Sequence, residues 1–339
     1  MRKLHCALYV LFCLSLGFFS PSESLAAELT KPVELTLVAQ QPGTSMYQMG
    51  MTLSRFLQDA LPEGSKITVI PRGASISNPM VIDQHKGDIS FSSGCAVVWA
   101  WNGLPGFFDS KHQNIREVSL GQMSVSFNFA CARRSYVEST GNDTLEKVLQ
   151  DKNMPRLIMK PKGSQVEPIF APIFEHYGKP FEDFRKANKL IQLQPTQIGD
   201  VLRDGRADVY IESIQANHPA FTEISLTNDL VFLPLPQWAL DNPEKFGMVK
   251  GIMPKGSYRG VDEDYPLLST SGNIIAHKDA PEEVVYLLTK ALIERHKEFI
   301  DENPTMNTWD PFKDHTRTGS PVPLHPGAER YYREKGWIK

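Results

Sequence analysis

The stretch Glu34-Leu35-Thr36-Leu37-Val38-Ala39-Gln40-Gln41-Pro42-Gly43-Thr44-Ser45 decides the fold class. Its first six residues form a mainly apolar run with the composition of a buried strand, and Pro-Gly-Thr-Ser is turn chemistry. Beyond the turn, Met46, Met49, Leu53, Phe56 and Leu57 recur at helical spacing. The same sentence is written twice more. Lys66-Ile67-Thr68-Val69-Ile70 leads into Arg72-Gly73-Ala74-Ser75, a short helix, Gly87 and the strand Asp88 to Ser93. Arg156-Leu157-Ile158-Met159 leads into Lys162-Gly163-Ser164-Gln165 and a helix marked by Pro168, Ile169, Phe170, Ile173, Phe174 and Tyr177, which Pro172 is expected to kink or delay. Strand, turn, helix and strand in succession make a parallel βαβ unit, in which ligands sit beyond the carboxyl ends of the strands.

Each turn suits an anion. The first N–H groups of a helix have no partner inside it, the macrodipole places partial positive charge there, and small residues let a ligand reach the backbone. Gly and Ser also occur at such turns for geometry and N-capping alone. Three such turns in a chain with no catalytic constellation favour binding. No Gly-x-Ser-x-Gly elbow occurs, and the nine histidines lack a short metal-ligand spacing, so neither a metal nor a cofactor is expected. A formal net charge of -3 and a pI near 6.3, with charges of both signs interspersed, give no support for a nucleic-acid partner.

At the other end of the argument stands the start of the chain. Arg2-Lys3, an apolar stretch from Leu4 to Phe19, Pro21 and the exit Ser24-Leu25-Ala26-Ala27 read as a signal peptide cleaved near Ala26 or Ala27, with an uncleaved anchor as the alternative. About 310 residues remain, enough for two domains. A second copy of the pattern, closing with Ile198, Val201, Leu202, Gly205 and Asp208-Val209-Tyr210-Ile211, echoes Gly87-Asp88-Ile89 and suggests two similarly built lobes. Ser124 to Cys131 and Ser271 to Ala276 read as crossings between them. The division expected is 1–26 signal peptide, 27–125 first lobe, 126–270 second lobe, and 271–339 the return to the first. Asp279 with Glu282 fits a capping box, with Pro281 in the first turn of a helix carrying Val284, Val285, Leu288, Ala291 and Leu292. Cys6 and Cys13 leave with the signal. Cys95 and Cys131 are either one disulfide or two buried thiols.

The closing residues Pro323-Leu324-His325-Pro326-Gly327-Ala328-Glu329-Arg330-Tyr331-Tyr332-Arg333-Glu334-Lys335-Gly336 resemble the final signature of the TAXI family of solute receptors for tripartite ATP-independent periplasmic (TRAP) transporters. Gly256-Ser257-Tyr258 with Gly260, Asp262-Glu263-Asp264, the Ser75-Ile76-Ser77-Asn78 stretch and Lys162-Gly163-Ser164 support the likeness, which covers nearly all of the mature chain. It implies an α/β, two-lobed, type II-like periplasmic binding fold with hinge crossings, closing over a small organic anion and delivering it to a TRAP permease. An ABC importer or a sensor kinase would be served by the same fold, and a secreted enzyme is the rival class. The chain departs from the family at Gln40 to Gln48, at Arg72 where a Thr is usual, and at Ser93-Gly94-Cys95, so the glutamate-like or dicarboxylate ligands of better-known members do not transfer. Arg72 offers a bidentate grip on a carboxylate, or lies on a solvated turn. Tyr47 either bonds the ligand or begins a buried helix face. Glu212 either accepts from a ligand ammonium or is a structural acceptor. Tyr331, Tyr332 and Trp337 read as packing. The ligand-binding residues expected are Gly43, Thr44, Ser45, Tyr47, Arg72, Ala74, Ser75, Ser93, Gly163, Ser164, Gln165 and Glu212.

Overall fold

A computed structural model describes residues 29–40, 45–71, 76–105, 107–315 and 320–339. The signal-like segment and the turn residues Gly43, Thr44, Arg72, Ala74 and Ser75 lie outside them. The strands are β1 (Glu34–Ala39), β2 (Lys66–Pro71), β3 (Ile89–Ser93), β4 (Ile115–Glu117), β5 (Ser126–Arg133), β6 (Leu157–Met159), β7 (Leu190–Gln192), β8 (Val209–Gln215), β9 (Leu230–Leu233), β10 (Val249–Met253), β11 (Tyr265–Thr270) and β12 (Gly272–His277). They form two sheets, ordered β2-β1-β3-β12-β4 and β10-β11-β5-β8-β6-β7, with β9 also paired to β5.

The two sheets repeat one plan. β1 runs parallel to β2 and β3, and β12 closes antiparallel to β3 and β4. β6 runs parallel to β7 and β8, and β5 closes antiparallel to β8 and β9. In each sheet the antiparallel strand arrives from the other: β5 follows β4, and β12 follows β11. Even the local clamp repeats. Asp88 N–H donates to Thr36 O at 2.8 Å, and Thr36 N–H returns to Asp88 Oδ2 at 2.7 Å. Asp208 N–H donates to Arg156 O at 2.8 Å, and Arg156 N–H returns to Asp208 Oδ2 at 2.9 Å. The echo between Gly87-Asp88 and Asp208 is therefore a shared way of starting the third strand of each half.

Helix α1 (Ser45–Ala60) buries Met49, Leu53, Phe56 and Leu57 on the first sheet, where the Glu282–Glu294 helix adds Val284, Val285, Leu288 and Leu292. Phe129, Ile158, Phe170, Phe174, Tyr210 and Phe221 build the core of the second. The closing helix Pro326–Glu334 belongs to the first core: Tyr331 and Tyr332 are buried, and Tyr332 OH donates to Val118 O at 2.9 Å. Among the described residues no helix is long and apolar enough to cross a membrane.

Several sequence expectations change. The helix after Asp279 starts at Glu282 with Pro281 as its N-cap and no side-chain cap bond, so there is no capping box. Asp279 N–H instead donates to His277 Nδ1 at 3.2 Å, two residues ahead of the observed N-cap. The Val166–His176 helix continues through Pro172, because its buried apolar face packs on both sides of the missing hydrogen bond. Both cysteines are buried free thiols: Cys95 opens the helix after β3, and Cys131 lies mid-strand in the second sheet. The proposed crossing segments are themselves sheet strands, β5 wholly in the second sheet and β12 wholly in the first, so the joints are 118–125 and Ser271.

Gly327 lies where the closing helix touches its neighbour: a Cβ there would sit 2.1 Å from Glu282 O and 2.7 Å from Tyr286 N. Backbone cannot yield as a side chain can, so Gly327→Ala should lower unfolding stability by about 3 kcal/mol or more, read from the denaturant midpoint. His325 caps the same helix, its Nδ1 accepting from Gly327 N–H at 3.3 Å. Burial, with Arg116 and His277 nearby, pushes its pKa from 6.5 down to about 4. Between those values the unfolded chain binds a proton that the folded chain refuses, so stability falls as pH drops from 6.5 toward 4. His325→Asn keeps a capping acceptor and should flatten that part of the melting-temperature profile by about one proton's slope.

Candidate functional site

In the second lobe, β6 ends at Met159 and the chain turns through Lys160 to Gln165 before the Val166–His176 helix. Gly163 takes φ 95°, and Lys162 and Ser164 form an isolated bridge, so the turn is tight and the helix opens at its mouth. Gln165 is the N-cap, yet its side chain does not cap the helix. Its Nε2 donates to Ser213 Oγ at 2.7 Å instead, which leaves the first N–H groups of the helix without a side-chain acceptor from that residue. Gln165 Oε1 and Ser164 Oγ are buried with no hydrogen-bond partner.

Ser213 is the hub of this wall. It pairs with Asn128 across β8 and β5, so the two side chains leave the sheet on one face. Asn128 is fully buried; its Nδ2 donates to Leu268 O at 3.0 Å and approaches Met248 Sδ at 3.3 Å, while its Oδ1 has no partner. Lys160 Nζ donates to Ser213 O at 3.1 Å and pairs with Glu212 Oε1 at 2.7 Å, with its side chain 21 % exposed. Glu212 is 1 % exposed, and Oε1 also accepts from Ser213 N–H at 2.6 Å while Oε2 accepts from Tyr210 OH. Burial, reinforced by the charge on Glu212, pushes the Tyr210 hydroxyl pKa up, so it remains a donor. Both oxygens of Glu212 are thus engaged inside the chain, one of them by the ammonium of Lys160.

On the first lobe, Ser93 ends β3 and holds the N-cap position of α3 (Gly94–Asn102) without a side-chain cap bond, its hydroxyl 3.2 Å from Cys95 Sγ. The first two N–H groups of α3 are taken by the crossing: Gly94 N–H donates to Ser271 O at 2.7 Å and Cys95 N–H to Thr270 Oγ1 at 3.1 Å. Tyr47 is half-buried on α1 and packs against the first core, and Ser45 begins that helix. Asn78, at the start of α2 (Asn78–Asp83), donates from Nδ2 to Phe91 O at 3.0 Å and keeps Oδ1 buried without a partner.

The lobes meet beside the crossing. Trp99 Nε1 donates to Phe246 O at 2.9 Å, and Trp99, Ala96 and Ala100 pack into the second core. Between α3 and the crossing lies a cavity of about 10 Å³, lined by Gly94, Val98, Met248, Ser269, Thr270 and Ser271, the room one water occupies. The described wall is made of hydroxyls, amides and one ammonium, a set that can hold a ligand by hydrogen bonds and charge. Among the described residues no group of three or more His, Cys, Asp or Glu side chains could hold a metal ion.

Of the expected residues, Gly163, Ser164 and Gln165 come together in the second-lobe wall with Glu212 behind them, while Ser93 and Tyr47 lie on first-lobe elements. Lys160, Asn128 and Ser213 were missed. Lys160 follows β6 as Gln40 follows β1, and an amide inside the apolar run Phe127-Asn128-Phe129 is itself a signal of a special buried environment.

A TctC solute binding protein from Polaromonas is 13% identical to this chain, with a TM-score of 0.52 over 92% of this chain and 100% of that one. The periplasmic aliphatic sulphonate binding protein SsuA from Escherichia coli is 11% identical over 89% of this chain and 84% of its own, with a TM-score of 0.43. The first likeness shows the fold, which is that of the two-lobed periplasmic binding proteins. Residues 38–336 match the NMT1-like family, and the chain belongs to it.

Proposed function

We propose that this protein is an exported receptor that captures a small organic anion, a carboxylate or an amino acid, between its lobes and delivers it to a TRAP-type membrane permease. The observation that carries the reading is the duplicated sheet plan, which gives both lobes strand-to-helix turns at the carboxyl ends of parallel strands. The opening N–H groups of a helix lack intrahelical partners and suit an anion, and Lys160 adds a cation on the second-lobe side. On the first-lobe side Arg72 is assigned to the ligand's charged group, together with Gly43, Thr44, Ser45, Tyr47, Ala74, Ser75 and Ser93. Gly163, Ser164 and Gln165 complete the set from the second lobe. The assignment to a TRAP permease rests on the likeness of Pro323 to Gly336 to the TAXI signature, and export to the periplasm on the segment ending near Ala26 or Ala27. A protein that binds and returns its ligand unchanged has no use for a nucleophile and base, which distinguishes it from a secreted hydrolase.

A thermal-shift screen of amino acids, keto acids, hydroxy acids and dicarboxylates should yield at least one stabilising compound, and a response to neutral sugars alone would remove the anion. With that compound, Arg72→Ala and Lys160→Met should each weaken binding by about 1.5–3 kcal/mol in calorimetry, the range of a hydrogen bond to a charged group, with the fold retained. Closure is the second expectation. Two segments join the sheets, at 118–125 and Ser271, and rotation about them leaves each sheet intact while α3 shifts against the second core. Small-angle scattering should give a smaller radius of gyration with saturating ligand. An identical radius with binding confirmed means a preformed pocket.

A further inference from the structure

Resting on the receptor reading, we infer that the Asn128–Gln165 wall is a subsite for a hydrogen-bond donor on the carbon beside the ligand's carboxylate, so that the protein selects α-amino or α-hydroxy acids over the corresponding keto and unsubstituted acids. Asn128 fixes the argument. Its NH₂ group faces Leu268 O, and reversing the amide would set two acceptors against each other, so Oδ1 is the end left over. Asn128 is fully buried, and an acceptor buried without a donor is costly. Gln165 Oε1 is in the same state, and both amides lie next to Ser213, one as its cross-strand partner and one bonded to its hydroxyl. Ser164 Oγ, also buried and unpartnered, adds a group able to give or accept.

The cation bonded to the carbonyl of the same Ser213 gives the pattern its meaning. Lys160 Nζ has three N–H groups, of which Glu212 Oε1 and Ser213 O engage two. Lys160, Gln165 and Asn128 all meet at Ser213, through its carbonyl, its hydroxyl and its strand pairing, and an ammonium and unpaired amide oxygens gathered there complement a molecule whose anionic oxygen adjoins an N–H or O–H. An α-amino or α-hydroxy acid has that arrangement. A keto acid brings a third acceptor to the amide oxygens, and an unsubstituted acid brings nothing. Sites with polar groups that a ligand must satisfy reject analogues lacking the matching group far better than apolar pockets reject a missing methylene. A single trapped water would also satisfy the two amides, and it would not discriminate.

The test is calorimetry on the full mature chain with three matched series: L-alanine, L-lactate, pyruvate and propionate; L-glutamate, L-2-hydroxyglutarate, 2-oxoglutarate and glutarate; L-leucine, its 2-hydroxy and 2-keto analogues, and 4-methylpentanoate. In the series that binds, the amino or hydroxy member should be at least about tenfold tighter than its keto and unsubstituted partners. Asn128→Leu and Gln165→Met should each shrink that ratio to below about threefold, mainly by weakening the donor-bearing member. Should Asn128→Leu fail to fold, Gln165→Met, which alters a turn and not a strand, decides alone. Equal affinity across a binding series overturns the subsite and leaves the receptor standing. A ratio unchanged in the folded variants also overturns it. Failure of all twelve compounds to bind folded protein overturns both the subsite and the small-carboxylate reading.

Discussion

Ser271 is the single residue between the two sheets: Thr270 ends β11 in the second and Gly272 opens β12 in the first. The other joint is tied to it, since Gly272 N–H donates to Ser124 O at 2.9 Å. So is α3, whose first two N–H groups bond Ser271 O and the Thr270 hydroxyl. The joint must also be narrow. A Cβ on Gly272 would lie 2.5 Å from the Phe91 ring. Two chain crossings and a helix terminus thus share one knot of hydrogen bonds, and both sheets take their position from it. For the proposed closure, such a knot would allow rotation and resist separation, because turning changes a few backbone angles at the crossings while parting the lobes would strip several buried polar groups at once.

The duplicated plan explains what was legible in the chain and what was not. Strand and helix could be read at Glu34 to Leu57, and strand, turn and helix at Arg156 to Tyr177, because local composition and tertiary placement agree there. Small parallel units bury their strands on both faces, so the apolar run survives as a signal. The Asp88 and Asp208 clamps were only faintly visible, since one carboxylate folding back on the first strand of its own half leaves no periodicity behind. The capping box at Asp279 and Glu282 misled for a related reason. The residues suit the motif, yet His277 Nδ1 takes the Asp279 N–H and moves the helix start to Glu282. Pro172 likewise breaks a local rule that buried packing overrides.

The site was legible on the turn and not on the strands behind it. Gly163, Ser164 and Gln165 announce themselves by turn chemistry. Lys160 and Asn128 act through partners far along the chain, Glu212 and Ser213 on β8 and Leu268 on β11. No single-sequence pattern reports a register between strands so distant. Glu212 shows the ambiguity best: a carboxylate near the end of a strand fits a ligand ammonium or an internal partner equally well, and only its 1 % exposure and its bonds to Ser213, Tyr210 and Lys160 distinguish them.

On the proposed anion-receptor reading, that buried carboxylate also bears on how a chain of net charge -3 would present a cation to an anion. An ammonium alone at a closing cleft would lose water on each closure, whether or not a ligand came with it, and burial of a lone charge is strongly unfavourable. With Glu212 fixed behind it, Lys160 keeps a partner as the lobes approach and its direction is set. The carboxylate in turn is held by Tyr210 and the Ser213 N–H, so it has no need to follow the ammonium outward. The arrangement has a consequence for strength. A lysine already paired attracts a second anion less than a bare one would, so under the proposed reading charge alone would give modest affinity, and the neutral donors and acceptors around Ser213 would set which anion stays.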